Sequence, residues 1–178
     1  MDTSKKLGRL CATALVAIGL ATAATTAAGG IASAQPPTST TMTCSSLNPL
    51  FWAPSFTWTV TASSGASRPP GGSVLEPSIL LSGNNELPVP PGGLFPSIGP
   101  NWYGTRLFVD WTNRANGVSG RSFSDEVALQ QKPGIPINRT LSGAGTVDFT
   151  VTVQTGAGWW LINSQNAVCR GTITVVPA

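Results

Sequence analysis

Four stretches of the chain alternate large apolar residues with small polar ones. They are residues 56–62, 106–111, 146–153 and 171–176. Successive side chains of a β-strand point to opposite faces, so a period of two predicts half-buried strands. The predicted inward faces carry Phe56, Trp58 and Val60 in the first stretch, Leu107, Val109 and Trp111 in the second, and Val147, Phe149, Val151 and Val153 in the third.

Weaker strand patterns occupy residues 40–45, 73–82, 121–130 and 159–162. Beyond residue 34 no stretch keeps an apolar period of 3.6 residues, and glycine and proline recur throughout. Short strands separated by frequent turn residues are typical of two packed antiparallel sheets. The pattern therefore predicts an all-β, two-sheet antiparallel sandwich, immunoglobulin-like in outline, with a small closed β-barrel as the alternative.

One irregular segment, residues 84–103, is long for a loop in a compact domain. It contains Pro88, Pro90, Pro91, Pro96 and Pro100. Loops of this length are usually functional or disordered. The structural interpretation is a polyproline-like cover across one sheet edge, which would also block edge-to-edge aggregation.

The first residues follow the order of a secretory signal peptide. Basic residues come first, then an alanine-rich apolar stretch, then small residues at a peptidase site: Lys5, Lys6 and Arg9, and later Ala32, Ser33 and Ala34. The apolar stretch is shorter than the ~20 residues that a membrane span needs. We therefore predict a cleaved signal peptide over residues 1–34, a flexible leader over 35–41 beginning at Gln35, and one domain over 42–178. That domain is expected to be secreted or held in the cell envelope, without a membrane span.

Removing residues 1–34 changes the charge of the protein. The full chain has 10 basic and 7 acidic residues, whereas the remaining 144 residues keep 7 basic and 6 acidic ones, a net charge of +1. A chain so close to neutral lacks the basic surface that nucleic acids require, and no nucleic-acid partner is predicted.

Two cysteines remain in the predicted mature chain, Cys44 and Cys169, near its two ends. Two lone cysteines in an oxidising compartment usually pair, so an intramolecular disulfide is predicted. A free thiol and an intermolecular bond are the alternatives.

The residue types present exclude most catalytic centres. The chain has no histidine, which excludes a Ser–His–acid triad, a Cys–His pair and a His-ligated zinc site. Paired carboxylates remain for glycoside hydrolysis. The candidates, dispersed along the chain, are Glu76, Glu86, Asp110, Asp125, Glu126 and Asp148. Asp110 and Asp148 fall on the polar faces of predicted strands, where solvated carboxylates are ordinary. No catalytic residue, metal site or cofactor is predicted.

Tryptophan is the residue type that points to binding, because the chain has 6 tryptophans and 1 tyrosine. Trp58 and Trp111 fall on apolar strand faces and are predicted core residues. If residues 159–162 form a strand, one of the two tryptophans in it faces away from the core, toward a ligand or beneath the proline-rich segment. Exposed aromatics favour binding surfaces such as sugar-stacking platforms. The candidate ligand-binding residues are therefore Trp102, Tyr103, Trp159 and Trp160.

Three functional hypotheses follow from these features. The favoured one is a secreted, non-catalytic binding module for a glycan, a cell-envelope component or a protein partner. The second is a purely structural envelope protein. The third is a secreted hydrolase whose two carboxylates converge within ~5–10 Å beside a cleft.

Overall fold

The computed structural model describes residues 38–86 and 102–178. These residues form eight β-strands and no helix, and hence no helix long and apolar enough to cross a bilayer. The strands are β1 (Ser39–Ser46), β2 (Phe56–Ser67), β3 (Glu76–Glu86), β4 (Tyr103–Asn113), β5 (Ser119–Phe123), β6 (Ala128–Gln130), β7 (Gly145–Ala157) and β8 (Ile162–Val175). The predicted signal peptide lies outside the described residues.

The strands form two antiparallel sheets with a shared core between them. One sheet has the order β1-β2-β3, and the other has the order β5-β4-β7-β8, with β6 paired to the first residues of β4. The predicted two-sheet sandwich is thereby confirmed. The strands do not close into the barrel that was the alternative.

The core contains the inward faces that the alternation predicted. Phe56, Trp58 and Val60 of β2 are fully buried, and the four apolar residues of β7 are buried opposite them. Leu107 and Val109 of β4 are also fully buried, whereas Trp111 packs against the core and is partly buried. Each fully buried aliphatic or aromatic side chain contributes about 1.5–3 kcal/mol of transfer free energy, so these strands supply most of the driving force for folding.

Cys44 of β1 and Cys169 of β8 form the predicted disulfide, with Cα atoms 5.4 Å apart. The bond joins the edge strand of one sheet to the edge strand of the other. Because β1 has a hydrogen-bonded strand on one side only, β2, the disulfide anchors its other side to the opposite sheet.

The outer edge of β3 is covered by the irregular segment 131–144. Ile79 and Thr140 exchange two backbone hydrogen bonds, with N···O distances of 2.9 and 3.4 Å. Closer to the end of the strand, the Ile135 N–H donates to the Gly83 carbonyl at 3.1 Å. A covered edge cannot pair with another chain. The sequence suggested this role for the proline-rich segment, of which residues 87–101 lie outside the described part of the chain.

Several predicted boundaries differ from the observed ones. β2, β3, β4, β7 and β8 are each longer than the strands predicted from alternation, and residues 84–86 belong to β3 and not to the predicted proline-rich segment. β1 begins at Ser39, so residues 39–41 belong to a strand and not to the predicted leader. The predicted strand over residues 121–130 is broken into β5 and β6. At the break the Ser124 hydroxyl donates to the Glu126 carbonyl at 2.8 Å, a local bond that competes with the strand ladder. A further difference, at residues 159–162, lies within the candidate site.

Candidate functional site

Five aromatic side chains are exposed at one end of the sandwich, where β1 leads into β2, β4 begins, and β7 turns into β8. They are Phe51, Trp52, Trp102, Trp159 and Trp160, with exposed fractions of 86, 66, 45, 59 and 83 %. We call this surface the aromatic end. It holds four of the six tryptophans, whereas Trp58 and Trp111 pack in or against the core, as predicted.

The loop between β1 and β2 is folded around the side chain of Asn48. The buried Asn48 amide donates to the Pro54 carbonyl at 3.0 Å and accepts from the Leu50 N–H at 2.9 Å. These bonds hold Phe51 and Trp52 at the tip of the loop, where their rings meet edge to face with centroids 4.7 Å apart. The tip is therefore an ordered turn that presents two aromatic rings.

Trp159 and Trp160 lie in a tight turn between β7 and β8, not in the predicted strand. Ala157 pairs with Ile162, and the four residues between them form the turn. Leu161 adopts a φ of 51°, a left-handed conformation that costs energy for a residue with a branched side chain. Strand alternation does not apply within a turn, so both tryptophans point to solvent. The expectation that one of the pair is buried is wrong.

The turn folds back over β4 and β7 at two glycines. A Cβ on Gly156 would lie 2.3 Å from backbone atoms of Leu161, and one on Gly104 would lie 2.6 Å from the Gly158 carbonyl oxygen. The Gly158 N–H donates to the Trp102 carbonyl at 2.7 Å, which places Trp102 beside the turn. The close approach of the backbones is therefore possible only because these positions lack side chains.

One hydrogen bond joins the two loops of the aromatic end. Asn163 Nδ2 donates to the Pro49 carbonyl at 2.6 Å, across 114 residues of sequence. Asn163 also has a φ of 50°, a conformation that asparagine tolerates better than most residues. Asn163 thus shapes the β7–β8 turn and attaches it to the β1–β2 loop.

Replacing Asn163 with alanine is expected to lower the free energy of unfolding by about 1–2 kcal/mol, because the variant loses the bond to Pro49 and places alanine at positive φ. Asn163→Gly is the matched control, since it loses the same bond while glycine accepts the positive φ. Urea denaturation should therefore rank wild type above the glycine variant, and the glycine variant above the alanine variant. An alanine variant as stable as wild type would contradict this role.

Tyr103, which was predicted as a ligand contact, belongs to the core. It is 8 % exposed, and its ring packs edge to face against Phe56 with centroids 5.2 Å apart. As the first residue of β4 it takes the inward position, while Trp102 before it stays outside. This burial removes Tyr103 from the set of surface contacts.

Phe51 and Trp52 were not among the predicted contacts. Their signal in the sequence is a stretch rich in large apolar residues, from Leu47 to Trp52, that has neither charge nor strand period. In a loop between two strands, such residues can be buried in the core or exposed on the surface, and the sequence does not distinguish the two. The bond from Asn163 is what brings it beside the β7–β8 turn.

Both loops of the aromatic end are uncharged. Residues 47–55 and 156–164 contain no Asp, Glu, Lys or Arg. Two charged residues lie at the same end of the sheets: Glu86 at the end of β3 and Lys132 just after β6. Their charges have opposite signs, so they add no net charge to this end. The surface is therefore apolar and close to neutral.

Two of the six candidate carboxylates, those of Asp110 and Asp148, lie away from the aromatic end, on the outer face of the five-stranded sheet. Asp110 of β4 and Asp148 of β7 line one shallow groove there. Each is held by an arginine, because Arg121 Nε donates to Asp110 and Arg114 Nε donates to Asp148, both at 2.5 Å.

These ion pairs set the chemistry of the groove. The hydrogen bond from Arg121 holds the pKa of Asp110 below its ordinary value, and hydrogen bonds from Arg114 and Thr172 do the same for the pKa of Asp148. A glycosidase needs one carboxyl whose pKa is raised, so that it can donate a proton. Neither aspartate meets that requirement.

The fold and the site together define a disulfide-tied β-sandwich with an exposed, uncharged aromatic end. Comparison with protein-family models, with curated proteins and with solved structures finds no match to this chain. Its function is therefore inferred from the geometry of the aromatic end.

Proposed function

We propose that the protein is a secreted, non-catalytic binding module whose contact surface is the aromatic end. The clustering carries this proposal: five aromatic side chains, each at least 45 % exposed, lie on two joined loops and at the start of β4. Contiguous exposed patches of large apolar side chains are typical of interaction sites. Rigid aromatic rings supply a large contact area at a small cost in side-chain entropy.

Two features favour binding over a purely structural role. Phe51 and Trp160 remain almost fully exposed, so they add little to the packing of the sandwich. The turn that carries Trp160 keeps Leu161 and Asn163 at positive φ, and backbone strain of this kind clusters at functional sites. A scaffold without a partner would benefit from neither feature.

The covalent structure and the N-terminal sequence support a compartment outside the cytoplasm. A domain tied by a disulfide fits a non-reducing environment. Together with the signal peptide predicted over residues 1–34, the disulfide supports secretion. The partner is then a glycan, an envelope component or a protein outside the cytoplasm.

Binding to cell-envelope preparations of the source organism tests this proposal. The chain from Gln35 to Ala178, which keeps every described residue, would be mixed with the envelopes and sedimented. A Phe51→Ser/Trp160→Ser double variant is expected to bind about a hundredfold more weakly, because an anchoring aromatic residue contributes ~1.4 kcal/mol or more and each ~1.4 kcal/mol is a factor of ten.

A matched control changes apolar residues at the other end of the sandwich. Val74 and Leu75 are 70 and 51 % exposed. They lie in the β2–β3 loop, at the opposite end of these two strands from Glu86 and the aromatic end. The Val74→Ser/Leu75→Ser variant should bind as wild type does. Equal binding by the Phe51→Ser/Trp160→Ser variant would refute the proposal.

A further inference from the structure

We infer that the partner of the aromatic end is a lipid surface, into which Phe51, Trp52, Trp159 and Trp160 insert at the level of the headgroups and the first acyl carbons. This inference rests on the proposed binding role of the same surface. It narrows that role to one class of partner.

The shape of the aromatic end suits a soft partner. Phe51 and Trp160 are 86 and 83 % exposed, so they stand out from the surface and do not line a cleft. A rigid small ligand is usually held in a concave site that encloses most of its surface. Lipid instead deforms around a protruding side chain, and tryptophan is enriched at the membrane interface, where its ring is apolar and its N–H meets polar groups.

The two loops can enter an apolar medium with few polar groups to desolvate. They carry no charged residue. The N–H groups that close the two turns already have partners, namely those of Leu50, Ala53, Gly158 and Leu161. Pro49 and Pro54 have no N–H to satisfy. Unpaired backbone groups are the main obstacle to placing irregular chain in lipid, and this obstacle is reduced at these six positions.

The two asparagine side chains of the loops are committed to the protein itself, which disfavours a glycan. Asn48 bonds the backbone of its own loop, and Asn163 bonds the Pro49 carbonyl. Sites for polar ligands combine apolar walls with a few polar groups aimed at the ligand. The aromatic rings are flanked instead by Leu47 and Ile162, which are 67 and 64 % exposed. Aromatic and aliphatic side chains together match a lipid interface.

Vesicles of phosphatidylcholine alone test the inference. The chain from Gln35 to Ala178 should co-sediment with them, and its tryptophan emission should shift to the blue. Binding should be nearly independent of salt, because screening acts on charges and the inserted surface has none. Lipid brominated near the headgroup end of the acyl chain should quench the emission more than lipid brominated near the methyl end.

One substitution in each loop measures how much that loop contributes to partitioning into the vesicles. Phe51→Ser and Trp160→Ser should each lower the partition coefficient by about tenfold, since burying about a third of the ~200 Å² of an aromatic side chain at ~25 cal/mol/Å² corresponds to roughly that factor. The Val74→Ser/Leu75→Ser control should leave partitioning unchanged. Thermal unfolding of each variant verifies that it is folded.

The outcomes separate this inference from the proposed function. No binding to phosphatidylcholine, while envelope binding still depends on Phe51 and Trp160, would overturn the lipid inference and leave the binding role intact. Binding that requires anionic lipid and disappears in salt would also overturn it, as would competition by soluble glycan fragments. Protection of the four tryptophans from acrylamide quenching in the free protein would assign the surface to residues 87–101 of the chain and overturn the inference. Envelope and vesicle binding that are both indifferent to the substitutions would overturn both proposals.

Discussion

Replacing both Cys44 and Cys169 with alanine is expected to lower the free energy of unfolding by about 4–5 kcal/mol. The disulfide closes a loop of 125 residues, and the chain entropy that it removes from the unfolded ensemble corresponds to about 5 kcal/mol. Single domains are stable by only ~5–15 kcal/mol in total. The double variant should therefore unfold at a temperature lower by about 10–15 °C.

Reduction of the wild-type protein is the control for this experiment, because it opens the same loop without removing the sulfur atoms from the core. It should reproduce most of the loss. Thiol titration of the chain from Gln35, denatured without reductant, should find no free thiol. An unchanged unfolding temperature after both substitutions would show that β1 is held on the sandwich without the bond.

Replacing Gly156 with alanine is expected to cost about 2–3 kcal/mol and to displace the β7–β8 turn. The new Cβ would lie 2.3 Å from backbone atoms of Leu161, which cannot rotate away as a side chain does. Because Leu161 closes the turn, its displacement also moves Trp159 and Trp160. Partner binding should weaken together with stability.

Gly134→Ala is the matched control, since its Cβ would meet the end of the flexible Gln130 side chain at 3.1 Å and lie at an ordinary van der Waals distance, 3.7 Å, from the Gly83 carbonyl oxygen. Its stability should stay within about 0.5 kcal/mol of wild type. Thermal unfolding and envelope sedimentation compare the two alanine variants. A Gly156→Ala protein with wild-type stability would contradict the close backbone approach that shapes the turn.

Most of the fold could be predicted because its long strands are half-buried. One face of β7 meets the core and the other meets solvent, so Val147, Phe149, Val151 and Val153 alternate with polar residues and reveal the strand. Such alternation does not reveal where a strand ends. The break between β5 and β6 depends on a local hydrogen bond at Ser124, and that bond leaves no period in the sequence.

The aromatic end could be predicted only in part. Trp102 and the β7–β8 pair could be singled out, because an excess of tryptophan is visible in composition. The exposure of both members of the pair depends on the positive φ of Leu161, a residue type that does not signal such a turn. Phe51 and Trp52 could not be joined to them, because a contact across 114 residues is a property of the tertiary structure.

Fluorine NMR of protein labelled with fluorotryptophan tests the aromatic end most directly, because each tryptophan gives its own resonance and Trp→Phe substitutions assign them. The predicted result is that the resonances of Trp52, Trp102, Trp159 and Trp160 shift between light and heavy water and disappear first when cell-envelope fragments are added. Those of the core residues Trp58 and Trp111 should respond much less to either change. Equal loss of all 6 resonances, or a response confined to the core pair, would contradict the assignment of the binding surface to the aromatic end.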